Sequence, residues 1–207
     1  MKKFLIRAVS AAAGLAAIGL PMIANAESNL QTGTSTLSAT ARLDFSVVVP
    51  KVLYLRVGTG TALATLSTID AITFTVPAAN LGDSTAIAAG TSSGDLGSGV
   101  VTAKVIGNNG AVTLTSTTLG ALSNGTYTLS YAQISTAASV LTSTTALAAP
   151  ALADGATTST TVAATSNVVN RDAKWTFSFL NTAVVPAGTY GGVNTNNSRV
   201  TYTASMP

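Results

Sequence analysis

Leu-Ser-Ala-Thr-Ala-Arg-Leu-Asp-Phe-Ser-Val-Val-Val, residues 37–49, decides the fold class. One set of alternate positions reads Leu37, Ala39, Ala41, Leu43, Phe45, Val47 and Val49. The other reads Ser38, Thr40, Arg42, Asp44, Ser46 and Val48. Successive side chains of an extended chain point to opposite faces, so a period of two gives one apolar and one mostly polar face. A helix would scatter the same residues around its circumference. Pro50, which has no N–H to offer a ladder, ends the run.

The same period recurs outward from this stretch. Residues 52–57 place Leu53, Leu55 and Val57 on one face and Val52, Tyr54 and Arg56 on the other. Residues 69–76 alternate Ile72, Phe74 and Val76 with Thr73 and Thr75 before Pro77. Residues 100–106 and 111–117 flank Gly107-Asn108-Asn109-Gly110, and Asn-Gly between two alternating runs predicts a hairpin. A second Asn-Gly, Asn124-Gly125, precedes a run over 126–133 with Tyr127, Leu129 and Tyr131 on one face. Residues 174–180 carry Trp175, Phe177 and Phe179, and 199–204 carry Val200, Tyr202 and Ala204. About eight strands separated by turn residues, without a convincing helix, predict an all-β antiparallel sandwich or barrel. Residues 136–166 are almost entirely Ala, Thr and Ser and are expected to form a surface insertion with one or two weak strands, a short helix around 145–154 being a second reading.

The first 26 residues read as a secretory signal peptide. Lys2, Lys3 and Arg7 precede an apolar stretch, and Ala24-Asn25-Ala26 is a small-x-small cleavage site behind Pro21. The expected mature chain is one domain over 27–207, with a polar N-terminal extension at 27–36. It is secreted, crossing the periplasm to the cell surface or beyond. No later stretch offers about 20 uninterrupted apolar residues, so no membrane span is expected in the mature chain. A transmembrane barrel would want aromatic girdles, and aromatics are only 5% of the chain.

Charge is scarce, at 8% of residues, and the formal net charge of +3 comes from the three cations of the leader. The mature side chains balance at zero, leaving no basic patch for a nucleic acid. There is no Cys and no His, which removes disulfides, thiol nucleophiles, Ser-His-Asp catalysis and most zinc sites. The acids are spread thin. Asp44 and Asp70 fall on polar strand faces, Asp83, Asp95 and Asp154 in turn-like segments, and Asp172 between Arg171 and Lys174, with one of which it is expected to pair. No enzymatic activity, cofactor or metal is expected. The stripe Trp175, Phe177, Phe179 reads as core, the other reading being a carbohydrate-stacking platform.

The two ends of the mature chain together carry a resemblance. A long alternating run follows the polar leader, and Gly188, Tyr190 and Gly192 form a G-x-Y-x-G pattern ahead of the final run through Tyr202. This resembles the chaperone–usher pilins, especially the cysteine-free, colonisation-factor type of major fimbrial subunit. The resemblance implies an Ig-like sandwich lacking one strand and a structural role in a fimbrium or adhesive matrix. It implies donor-strand complementation between copies, cell adhesion, and a periplasmic chaperone and outer-membrane usher as partners in transit. Leu37, Ala39, Ala41, Leu43 and Phe45 have the alternation a donated strand needs. The same residues equally suit the chain's own first strand. A monomeric carbohydrate- or surface-binding sandwich is the alternative function.

Overall fold

The computed structural model describes residues 27–207, so the leader 1–26 lies outside the described residues. The chain divides at Val49/Pro50 into two units, of which the second, Pro50–Pro207, contains every strand found among the described residues.

In the first unit, residues 27–49 form no strand, although their alternation predicts one. Phe45 is 86% exposed and Val48 90% exposed, and Leu43, Val47 and Val49 are also open to solvent. Alternation supplies a face but no partner, and a strand without a neighbour leaves its backbone groups to water. The reading of this segment as the chain's own first strand is therefore corrected: it is an arm with neither strand nor helix. Within it, Arg42 forks onto Glu27 at 2.7 and 3.0 Å, and that hydrogen bonding holds the Glu27 carboxyl below its ordinary range. Both groups are exposed, so the pair adds little stability.

The second unit is an all-β sandwich of antiparallel sheets. Its ten strands are β1 (Leu53–Val57), β2 (Ile87–Ala88), β3 (Val100–Gly107), β4 (Val112–Thr117), β5 (Leu122–Ser123), β6 (Thr128–Leu129), β7 (Ile134–Ser139), β8 (Thr157–Val162), β9 (Val169–Phe179) and β10 (Thr201–Ser205). In the five-stranded sheet, β9 is central: β3 and β2 pair along one side of it and β7 along the other, with β1 outside β3. The three-stranded sheet has the order β10-β4-β8, and β5 and β6 form a small hairpin. Val101, Ala103 and Val105 of β3, Val112 and Leu114 of β4, and Val169, Trp175 and Phe177 of β9 meet in the core. Trp175 is wholly buried, with its ring 5.3 Å from that of Tyr202.

Several sequence expectations change. The Asn108-Asn109 turn is not a hairpin within one sheet: β3 and β4 belong to different sheets, so the turn crosses between layers. Residues 69–76 contribute only a bridge from Phe74 to Ala89. The run over 126–133 breaks into β6 and a 3-10 turn at Tyr131–Gln133, which Ser130 caps by accepting from the Ala132 N–H. Burial of the Tyr131 ring, whose hydroxyl donates to the Asn197 carbonyl at 2.8 Å, sets that turn.

Residues 136–166, read as a surface insertion with one or two weak strands, hold most of β7 and all of β8; the change is that the stretch between them forms no helix and is part of the core. Where β7 leaves the edge of β9, residues 142–147 continue along it: the Leu147 N–H donates to the Asp172 carbonyl, and the Trp175 indole donates to the Leu147 carbonyl at 2.7 Å. Leu147 and Pro150 are buried. Ser116 Oγ then holds the Ala151 carbonyl at 2.8 Å and Thr118 Oγ1 the Ala153 carbonyl at 2.5 Å. Segment 142–154 is a plug that closes the gap between the β7 and β8 edges of the two sheets.

The outer face of the three-stranded sheet has its own regularity. Across the strands, Thr201, Thr117 and Thr157 align; so do Thr203, Thr115 and Ser159, and so do Ser205, Thr113 and Thr161. Every outward position is a hydroxyl and none is charged. The outer face of the five-stranded sheet instead carries Arg56, Lys104, Asp172 and Lys174.

Candidate assembly site

A two-layer sandwich has two open sides, and here they differ. On the plugged side, Asp172 is the anchor. Its Oδ1 accepts from the Thr142 and Ser143 N–H groups, both at 2.8 Å, its Oδ2 accepts from the Thr142 hydroxyl, and Lys104 Nζ is 3.7 Å away. Burial works to raise its pKa, but the hydrogen bonds from Thr142 and Ser143 outweigh burial and hold the carboxyl well below the usual carboxylate range. The expected pairing with Arg171 or Lys174 is thus replaced by a pair with Lys104, the residue directly across the ladder.

On the other side, β1 and β10 lie close to each other without pairing and form a seam between the two sheets. β1 pairs only with β3 and β10 only with β4, so among the described residues each has a free outer edge. The floor between them is apolar. Leu55 and Val57 from β1, and Tyr202, Ala204 and Met206 from the C-terminal stretch, pack on the core while staying partly exposed. β10 itself, Thr-Tyr-Thr-Ala-Ser, has neither a charge nor a proline to discourage an added strand. Burial beside Trp175 pushes the Tyr202 hydroxyl pKa up, with a smaller contribution from Tyr131.

One end of this seam is built by the turn between the sheets. Asn108 accepts from the Val52 N–H at 2.8 Å and donates to the Pro50 carbonyl at 2.7 Å. Asn109 Nδ2 donates to the Pro207 carbonyl at 2.7 Å, and Lys51 Nζ donates to the same oxygen. The start of β1 and the end of β10 are therefore held by one turn. Gly107 lets them approach: a Cβ there would lie 3.1 Å from both Met206 Sδ and Val112 Cγ2.

The residues singled out in sequence fall into three places. Leu37, Ala39, Ala41, Leu43 and Phe45 lie on the exposed arm. Tyr202 lies in β10 beneath the seam. Gly188, Tyr190 and Gly192 lie outside every strand. Gly188, at φ 153°, packs its backbone on the β5–β6 hairpin, where a Cβ would come within 2.6 Å of Asn124 Nδ2. Sequence reading missed β1 as a seam wall and the plug entirely. Trp175, Phe177 and Phe179 are buried, so they offer no platform to a sugar. Among the described residues no three His, Cys, Asp or Glu side chains gather as a metal site, and no helix is long and apolar enough to cross a membrane. Comparison of the chain with family models, curated proteins and solved structures returns no match.

Proposed function

We propose that this chain is an exported structural subunit of a surface filament or adhesive matrix, and that copies join by strand addition. The arm of one copy enters the β1/β10 seam of the next. The observation that carries this reading is a pair of unmet needs: an arm whose apolar residues are exposed, and a sandwich whose β1 and β10 edges are unpaired over a partly exposed apolar floor. An incoming strand would satisfy the free backbone edge and cover the apolar floor, with alternate side chains fixing the register. Burying Leu37, Ala39, Ala41, Leu43 and Phe45, at about 25 cal/mol per Å², supplies several kcal/mol before ordering costs. A periplasmic chaperone and an outer-membrane usher fit this reading as the machinery that keeps the seam covered in transit. The reading assigns no catalytic role.

The test is electron microscopy and sedimentation of the purified 27–207 protein beside its Ala39→Asp and Ala41→Asp variants. The expected result is filaments from the wild type, and folded but unassembled variants, because each places an unpaired carboxylate in an apolar groove. A synthetic 27–49 peptide should stop wild-type growth. Variants that assemble as well as the wild type would sink the proposal.

A further inference from the structure

The three-stranded sheet presents its three aligned rows of Thr and Ser to solvent without a single charge. Exposed sheet faces usually carry Lys or Glu, which keep copies apart. A hydroxyl both donates and accepts, so a face made only of hydroxyls is complementary to itself. We infer that this face is a lateral contact between filaments, and that its occupant is the same face of a second copy. The inference rests on the strand-addition reading and extends it from growth along a filament to bundling across filaments.

Three features favour a second copy over any other occupant. First, the contact continues the assembly site, since β10 borders the seam and also supplies Thr201, Thr203 and Ser205 to the face. An arm added beside β10 with Leu37, Ala39, Ala41, Leu43 and Phe45 inward would turn Ser38, Thr40, Arg42, Asp44 and Ser46 outward. The hydroxyl surface then widens by one strand. Second, Arg42 and Asp44, two residues apart, are the only charges this adds. A two-fold pairing of identical faces lets Arg42 of one copy meet Asp44 of the other, with no like charges opposed. Third, the area is informative. Three strands about 4.8 Å apart and five residues long at about 3.4 Å each cover roughly 250 Å². A stable interface buries about 800 Å² per partner, so two isolated copies should not pair through this face. Repeated along two filaments, the same weak contact becomes strong through avidity.

The test uses the full mature protein and its Ser159→Lys/Thr161→Lys variant, both changes on β8, compared by low-speed and high-speed sedimentation and by filament width in electron micrographs. The expected wild type pellets at low speed as bundles. The expected variant pellets only at high speed, as single filaments, and added salt restores bundling by screening the introduced lysines. Ser159→Lys alone, on the strand farthest from the seam, should give the same loss of bundling and decides the matter if the double variant does not fold. Variant filaments that bundle like the wild type overturn the lateral contact and leave strand addition standing. A folded variant that forms no filaments also overturns it, by assigning the face to the joint between successive subunits. Wild-type protein that forms no filaments at all overturns strand addition, and the lateral contact with it.

Discussion

Replacing Asp172 should release the plug, and the two obvious replacements should do so to different extents. In Asp172→Asn the remaining oxygen still faces the Thr142 and Ser143 N–H groups that Oδ1 now accepts at 2.8 Å. What is lost is the charge on two hydrogen bonds, the acceptor for the Thr142 hydroxyl, and the Lys104 ion pair. Those losses sum to about 2 kcal/mol. In Asp172→Ala both N–H groups and the hydroxyl lose their acceptor. An orphaned buried donor costs about 1–3 kcal/mol, so the variant should lose about 4 kcal/mol. Against a typical stability of about 5–15 kcal/mol, that is enough to leave the protein marginal. Urea unfolding should be followed in an Ala41→Asp background, so that assembly does not add to the apparent stability. The m-value separates a true loss of stability from an already loosened native state. As the plug leaves, the Trp175 indole loses the Leu147 carbonyl, and its emission should shift to the red. An Ala variant within about 1 kcal/mol of wild type, or equal costs for Asn and Ala, would refute the anchoring role.

Three shorter predictions concern the same core. Asp172 ionises more readily folded than unfolded, so its stabilisation is present above about pH 4, the unfolded value, and is lost as acid titrates the folded carboxyl. Tyr131, pushed up to about 12 by burial and by Asp154, and Tyr202, raised chiefly by burial, should weaken the fold only as pH rises above about 10, where unfolded tyrosine ionises. Urea midpoints measured across pH should therefore fall at both extremes, and a sharp loss between about 6 and 8, where histidine would titrate, contradicts this. Trp175→Phe should cost about 1–3 kcal/mol by thermal melting, from the lost volume and the lost bond to Leu147. Gly107→Ala should cost about 1 kcal/mol, because Val112 cannot yield to a Cβ 3.1 Å away, and a neutral result would show the end of the seam to be loose.

The period-two pattern is enough to read the sheets where the strands are half-buried on a core: β1, β3, β4, β10 and the second half of β9 fall close to their alternating runs. It failed wherever a pairing partner decided the outcome. Residues 37–49 alternate best of all and form no strand, because alternation describes a face and says nothing about a free edge beside it. Asn-Gly marked a reversal correctly but not the layer to which the chain returns, since that depends on long-range pairing of β3 with β9 and β4 with β8. The plug was invisible because its anchoring is done by backbone groups and by small hydroxyls, Thr142, Ser116 and Thr118. Ala, Thr and Ser in a row look alike whether they cover a core or float above it. The first half of β9 was missed because Asn170, Arg171 and Asp172 break its apolar pattern, yet β3 pairs with it throughout.

The turn at residues 107–110 fixes polarity. By anchoring Pro50 and Pro207 it places the beginning of β1 and the finish of β10 at one end of the sandwich. β1 and β10 therefore run in opposite senses along the seam, and a strand added between them lies antiparallel to one and parallel to the other whichever way it enters. Under the proposed strand addition, a head-to-tail chain of such copies has two chemically distinct ends. One end offers a vacant seam and the other a lone arm, so a soluble arm peptide would arrest growth at the first and leave the second untouched.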